Sequence, residues 1–111
     1  MEVLIELAEF SKGTLNRITN ESGCPDLLQE REKNKEVKVL VDFEKLSRRT
    51  LARIASETSD SKLLDELATS NSGKVRFAVA SNGWTRLETM KKLAKDPDRA
   101  VADAAARTLR R

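Results

Sequence analysis

Few side chains in this sequence can carry covalent or proton-transfer chemistry. There is no histidine and one cysteine, Cys24. Without histidine there is no His-based general acid–base catalysis, no Ser–His or Cys–His nucleophile pair and no His metal site. One cysteine builds no intrachain disulfide, Cys-rich zinc site or iron–sulfur cluster. Cys24 stands in Ser22-Gly23-Cys24-Pro25 with Asp26 beside it. A reactive thiolate needs an electropositive setting, so the segment reads as a turn with a half-buried thiol. Two carboxylate pairs remain, Asp96/Asp98 and Asp60/Asp65. Both fall at expected helix starts, where acids stabilise the N-terminal dipole, and capping is their simpler role. Asn20-Glu21-Ser22 matches a glycosylation sequon, read as a chance match in a chain with no export signal. No set of nucleophile, base and orienter can be assembled. The expectation is a non-enzymatic protein without cofactor or metal.

The basic residues carry more information. Residues 1–46 hold seven Lys/Arg and ten Asp/Glu, and residues 47–111 hold fourteen and eight. The net charge of +3 therefore divides into −3 and +6. Arg17, Arg53 and Lys92 occupy one phase of an internal repeat, and Lys38 and Arg76 another. Same-phase residues of a superhelix line up along one face, and a basic ladder is the footprint of a phosphate backbone. Against this, Arg17–Glu21, Arg53–Glu57 and Lys92–Asp96 are spaced i,i+4, which favours local ion pairs on a solvated face. Trp84, the only tryptophan, suits an exposed binding anchor or a wedge between helices. Packing is favoured, because large aromatics mostly bury.

The elements that must position these groups are short and repeated. The chain has 111 residues, 39% hydrophobic and 35% charged, too apolar for disorder and too polar for a membrane protein. Glu2, Glu6 and Glu9 stand where a signal peptide carries bases. No run approaches the roughly 18 apolar residues of a membrane span, and Cys24 suits a reducing compartment. The localisation expected is cytoplasmic. Ser11-Lys-Gly-Thr14-Leu15-Asn-Arg17-Ile18-Thr-Asn-Glu21 recurs 36 residues later as Ser47-Arg-Arg-Thr50-Leu51-Ala-Arg53-Ile54-Ala-Ser-Glu57. A third, weaker copy is Thr89-Met90-Lys-Lys92-Leu93-Ala-Lys-Asp96. Leu64-x-x-Leu67-Ala68 recurs 26 residues later as Met90-x-x-Leu93-Ala94. Leu51, Ile54, Ala55 and Thr58 are spaced i, i+3, i+4, i+7, as on one face of a helix. Val75/Ala78/Val79 and Val101/Ala104/Ala105 carry the same spacing, and Leu4/Leu7/Ala8 opens the chain likewise.

Stripes this short cannot hold a lone helix in water and must stack. Turn clusters and the N-caps Ser11, Ser47 and Asp98 divide the chain into about nine helices, near 2–10, 12–21, 25–34, 36–45, 48–57, 60–69, 73–81, 85–95 and 98–110. Val37, Val39, Val41 and Phe43 alternate as in a strand. Alignment of that segment with the more clearly helical Val75–Ser81, at an offset of 38, decides for helix. The fold class expected is all-α, a right-handed α-superhelix. A capping helix at 1–10 is followed by degenerate repeats at 11–46, 47–82 and 83–111.

The run Leu64-x-x-Leu67-Ala68-x₆-Val75-Arg76-Phe77-Ala78-Val79-Ala80-Ser81-Asn82-x-x-Thr85-x₄-Met90-x-x-Leu93-Ala94-Lys95-Asp96-Pro97-Asp98 resembles a variant leucine-rich repeat. More distantly, it is similar to HEAT-like helical repeats. The resemblance covers residues 60–106 well and 11–59 loosely, and implies a superhelix of short paired helices. Arg86 replaces the proline that follows the turn threonine in that family. Arg31-Glu32 replaces Leu-Ala in the first unit, and Val101-Ala102-Asp103 lacks the Val-Arg signature. Some members carry an N-terminal cysteine cluster with iron–sulfur, which Cys24 alone excludes.

Fold alone does not give function. The leading expectation is a helical-repeat module that binds another protein, with Arg53, Trp84, Arg86, Lys91 and Lys92 as contact residues. The alternative is a nucleic-acid-binding repeat using a basic face. Residues 2–10 are expected to cap one end. At the other end Val101, Ala104, Ala105 and Leu109 cover the last stripe, with Arg107, Arg110 and Arg111 in water. Small alanines make that end thin and suited to docking a partner or self-associating.

Overall fold

The computed structural model describes residues 2–34 and 36–110. The chain is mostly helical with one small sheet. Strand β1 (Glu2–Glu6) and a 3-10 turn (Leu7–Glu9) lead into α1 (Lys12–Ser22) and α2 (Leu27–Lys33). Strand β2 (Lys38–Asp42) and a second 3-10 turn (Phe43–Lys45) lead into α3 (Arg48–Glu57) and α4 (Ser61–Leu67). Then follow α5 (Gly73–Ser81), α6 (Leu87–Leu93) and α7 (Arg99–Leu109).

Two expectations are corrected here. The segments 2–10 and 36–45 are not helices; each is a strand closed by a 3-10 turn. The chain is therefore not all-α, and seven α-helices, not nine, stand among the described residues. The physical reason is the period-2 alternation. Val3 and Ile5 face inward with Val39 and Val41, while Leu4 and Leu40 face solvent. β-Branched side chains suit such a half-buried pleat. A two-stranded sheet is marginal alone, and its inner face is held by the core.

The strands pair antiparallel, with Leu4 opposite Leu40, Val3 opposite Val41 and Ile5 opposite Val39. Leu4 and Leu40 are themselves 36 residues apart, so the repeat is folded about a pseudo-twofold axis through that pair. Side chains obey the same symmetry. Ser11 and Ser47 cap α1 and α3, accepting from the N–H groups of Thr14 and Thr50. Glu57 accepts from the Ser11 N–H (2.7 Å) and the Thr14 hydroxyl (2.5 Å). Glu21 accepts from the Ser47 N–H (2.6 Å) and the Thr50 hydroxyl (2.5 Å). Arg17 Nε donates to Thr50 Oγ1 at 3.2 Å, and Arg53 Nε to Thr14 Oγ1 at 3.1 Å. The recurring motif is thus a reciprocal clasp between the two copies.

The 26-residue offset has its own structural meaning. Helices α4 and α6 start and end 26 residues apart, and α5 and α7 start 26 apart. Ala68 and Ala94 close α4 and α6 with the same αR geometry and matching hydrogen bonds. Helix α3 packs along α5 and α5 along α7, while α4 and α6 bridge them. The molecule measures 41 × 24 × 20 Å, long in one direction. Buried Ile54, Ala55, Val75, Val79, Val101 and Ala105 face one another between these helices. The weaker copy at 89–96 does not share the clasp, since Thr89 donates to Asp65 instead (2.6 Å).

Polar groups complete the joints. Asn82 Nδ2 donates to the carbonyls of Ala55 (2.7 Å) and Thr58 (2.8 Å), ending α3 against α5. Arg31 Nη1 donates to the Phe10 carbonyl, which gives a positive role to the residue that departs from the repeat. Leu109 is 36% exposed while Val101, Ala104 and Ala105 are buried, so α7 covers the end with its small residues. Arg111 lies outside the described residues.

Candidate binding groove

Helices α3 and α5 run side by side in the same direction. Their N-terminal residues Arg49 and Lys74 line one hollow, and their C-terminal ends are joined by Asn82. Each helix buries one stripe in the core. The neighbouring stripes, Arg49/Ala52/Arg53/Ser56 and Lys74/Phe77/Ala78/Ser81, share the i, i+3, i+4, i+7 spacing of a single helix face. Together with Asn82 they line a groove of about 350 Å³. Ala52 and Ala78 leave the space, and Phe77, 45% exposed, gives it an apolar wall.

The electrostatics of the groove are graded along its length. Arg48, Arg49 and Lys74 meet at one end, beside Ser47. The other end carries Ser56, Ser81 and Asn82. Among the described residues no carboxylate lines the groove. Asp98 meets α5 from the α7 side, at Gly73, where an added Cβ would lie 2.4 Å from its Oδ2. The three cations sit in the first turns of α3 and α5, which contain no acidic residue. A cation in a helix's first turn opposes the dipole at a cost of about 0.3–1 kcal/mol. Glu21 at the Ser47 N–H and Asp98 at Gly73 supply the negative charge at these helix starts from outside the groove.

The residues expected to form the contact surface divide among different places. Arg53 lines the groove while its Nε holds Thr14. Arg86 and Lys92 line a separate hollow between α4 and α6 that also contains Asp65, Glu88 and Asp96. Arg86 Nε lies 3.5 Å from Asp65 Oδ2, so charge there is locally balanced. Lys91 is exposed on α6. Trp84 is not a wedge: it is 68% exposed, on the turn entering α6, near Leu87 at 60%. Its backbone N–H is fixed by Asn82 Oδ1 (2.8 Å) and Thr85 closes the turn onto the Val79 carbonyl (2.7 Å). The side chain is left outside as a consequence.

The basic ladder does not form along one face. Arg17 is engaged with Thr50 and lies 3.9 Å from Glu21. Arg76 is half-buried, with Nε 2.8 Å from Asp96 and Nη1 donating to the Ser70 carbonyl. Lys38 stands on β2 opposite Glu6. The carboxylate pairs serve as caps and ion-pair partners: Asp60 and Asp98 accept from the N–H groups of Lys62 and Ala100, and Asp96 holds Arg76. Cys24 is half-buried, 3.0 Å from Ser22 Oγ, after Gly23 closes α1 at φ 72°.

Arg49, Lys74 and Phe77 were not singled out by sequence reasoning. The signal available was the pair of i, i+3, i+4, i+7 stripes beside the core stripes, 25 residues apart. Among the described residues no three acidic or thiol side chains come together to hold a metal. No described helix is long and apolar enough to cross a membrane. No protein-family model, curated protein or solved structure matches the chain.

Proposed function

We propose that this chain is a non-enzymatic interaction module that binds another protein in the α3–α5 groove. We read α3–α7 as a short right-handed helical-repeat array of the variant leucine-rich or HEAT-like kind, working in the cytoplasm, with the strand-bearing first unit as its cap. The observation that supports this most is Phe77: a large apolar ring, exposed, in a groove whose small neighbours leave room beside it. Aromatic anchors in desolvated pockets supply most interface energy, and Phe77 gives this groove an apolar wall of that kind. Trp84 and Leu87 provide a second apolar contact at the edge of the array.

The test is photo-crosslinking in cells with p-benzoylphenylalanine, a phenylalanine analogue, at position 77, and at exposed Asp103 of α7 as control. Protein adducts specific to position 77 are expected. Nucleic-acid adducts, or none beyond those from position 103, would contradict the reading.

A further inference from the structure

We infer that the groove's partner is an acidic segment whose carboxylates flank one side of an apolar anchor residue. This rests on the groove being the protein-binding face, and specifies what it selects. Charge complementarity carries the argument. Among the described residues the lining contributes Arg49 and Lys74 without a carboxylate, Arg48 joins them at one end, and Arg53, whose Nε donates to Thr14, stands beside them. Arg48, Arg49 and Lys74 repel one another, and each sits in the first turn of a helix, where a cation opposes the dipole. A ligand carrying carboxylates relieves both effects at once.

The position of the apolar surface sets the rest of the ligand. Phe77, Ala52 and Ala78 lie along the middle of the groove, and Ser56, Ser81 and Asn82 at the far end. The fitting segment thus carries acids at one end, an apolar side chain next, and no charge beyond it. From Arg49 to Ser56 the groove spans about 10 Å at 1.5 Å per residue, enough for a short peptide motif.

A nucleic acid fits less well. A phosphodiester chain is held by many regularly spaced cations, and several of the cations here already face carboxylates. Arg76 is committed to Asp96, Arg86 stands beside Asp65 and Arg17 beside Glu21. A single ring, Phe77, offers one stacking platform in the groove where strand binders line up several.

The experiment is fluorescence anisotropy with the full chain and labelled synthetic peptides. One peptide carries an Asp/Glu block followed by Leu-Phe, the second a Lys block before the same Leu-Phe, and the third the acidic block alone. Labelled oligothymidylate is the nucleic-acid probe. The acidic-apolar peptide is expected to bind, more weakly as salt rises, with the Lys and acid-only peptides at least about tenfold weaker. Arg49→Glu with Lys74→Glu, and separately Phe77→Ala, are expected to weaken it by about tenfold or more. Both variants should keep a cooperative melting transition, because Arg49, Lys74 and Phe77 are exposed.

Equal binding of the Lys peptide, competed from position 77, would overturn the acidic assignment and leave the groove reading standing. Tighter binding of oligothymidylate that the same variants abolish would overturn both. Failure of the acidic peptide to bind, or binding indifferent to the charge reversal, would overturn the inference.

Discussion

Ile54→Asp is expected to leave the chain without a cooperative thermal transition. Ile54 is fully buried at the centre of α3, where that helix meets both the first unit and α5. A carboxylate there stands within the hydrophobic core, and burying it unpaired costs several kcal/mol, on the order of the whole stability of a domain this size. Circular dichroism against temperature reads the loss directly. Leu51→Asp is the instructive partner. Sequence periodicity treats Leu51 and Ile54 alike, but Leu51 is only half-buried. Its aspartate can reach water, and the expected cost falls to about 1–2 kcal/mol. Equal losses for the two variants would show that α3 presents its stripe differently.

Glu21→Ala and Glu57→Ala are expected to cost about 2 kcal/mol each and nearly the same amount. Each removes the acceptor of a backbone N–H and a threonine hydroxyl from the opposite unit, and hydrogen bonds to charged groups contribute about 1.5–3 kcal/mol. The near-equality follows from the pseudo-twofold arrangement; Ser11, Thr14 and Glu57 are the mirror of Ser47, Thr50 and Glu21. The Glu21 carboxyl also carries a pH signature. Its burial opposes ionisation, but the Thr50 hydroxyl, the Ser47 N–H and hydroxyl and the Arg17 charge together hold its pKa below the ordinary 4.5. A folded pKa below the unfolded one stabilises the fold at pH values above the unfolded pKa. That stability fades as pH falls through the lower, folded value. The penalty of Glu21→Ala in urea unfolding should therefore be full at neutral pH and shrink below about pH 4.5. A penalty that is constant with pH, or confined to one of the two glutamates, would argue against the reciprocal clasp.

Much of this architecture is visible in the sequence because it is local. Ser47 followed by Thr50 and a stripe of Leu51, Ile54 and Ala55 specifies a cap and a face, and α3 begins and ends as that pattern requires. Helix α5 is equally legible from Val75, Ala78 and Val79. The strands are harder. In a five-residue element both periods find matches: Leu4, Leu7 and Ala8 fit a helix, while Val3, Ile5 and Leu7 fit a strand. The deciding interaction is a pairing with residues 36 positions away, which no local pattern displays. Extending the 36-residue offset backwards from Ser11 and Ser47 would have placed Val3-Leu4-Ile5 on Val39-Leu40-Val41, and two matching alternations on one another. The aligned offset of 38 concealed this.

The candidate site was legible in part for a related reason. Arg53 is a motif residue and was recognised as such. Arg49, Lys74 and Phe77 become neighbours only when α3 and α5 lie parallel, so the groove belongs to the packing of two elements, not to either. Repeat phase also misled for the cations. Arg17 and Arg53 share a phase, but the twofold relation turns each toward the other's unit, whereas a superhelical translation would have set them in line.

A two-dimensional amide NMR titration of the labelled chain with the acidic Leu-Phe peptide locates the binding surface residue by residue. Shifts are expected to concentrate in Arg49–Ser56 and Lys74–Ser81, with the amides of α1, α2 and the sheet unmoved. Shifts centred instead on Trp84–Lys92, or spread evenly over the basic surface, would contradict the α3–α5 groove as the place where this protein meets its partner.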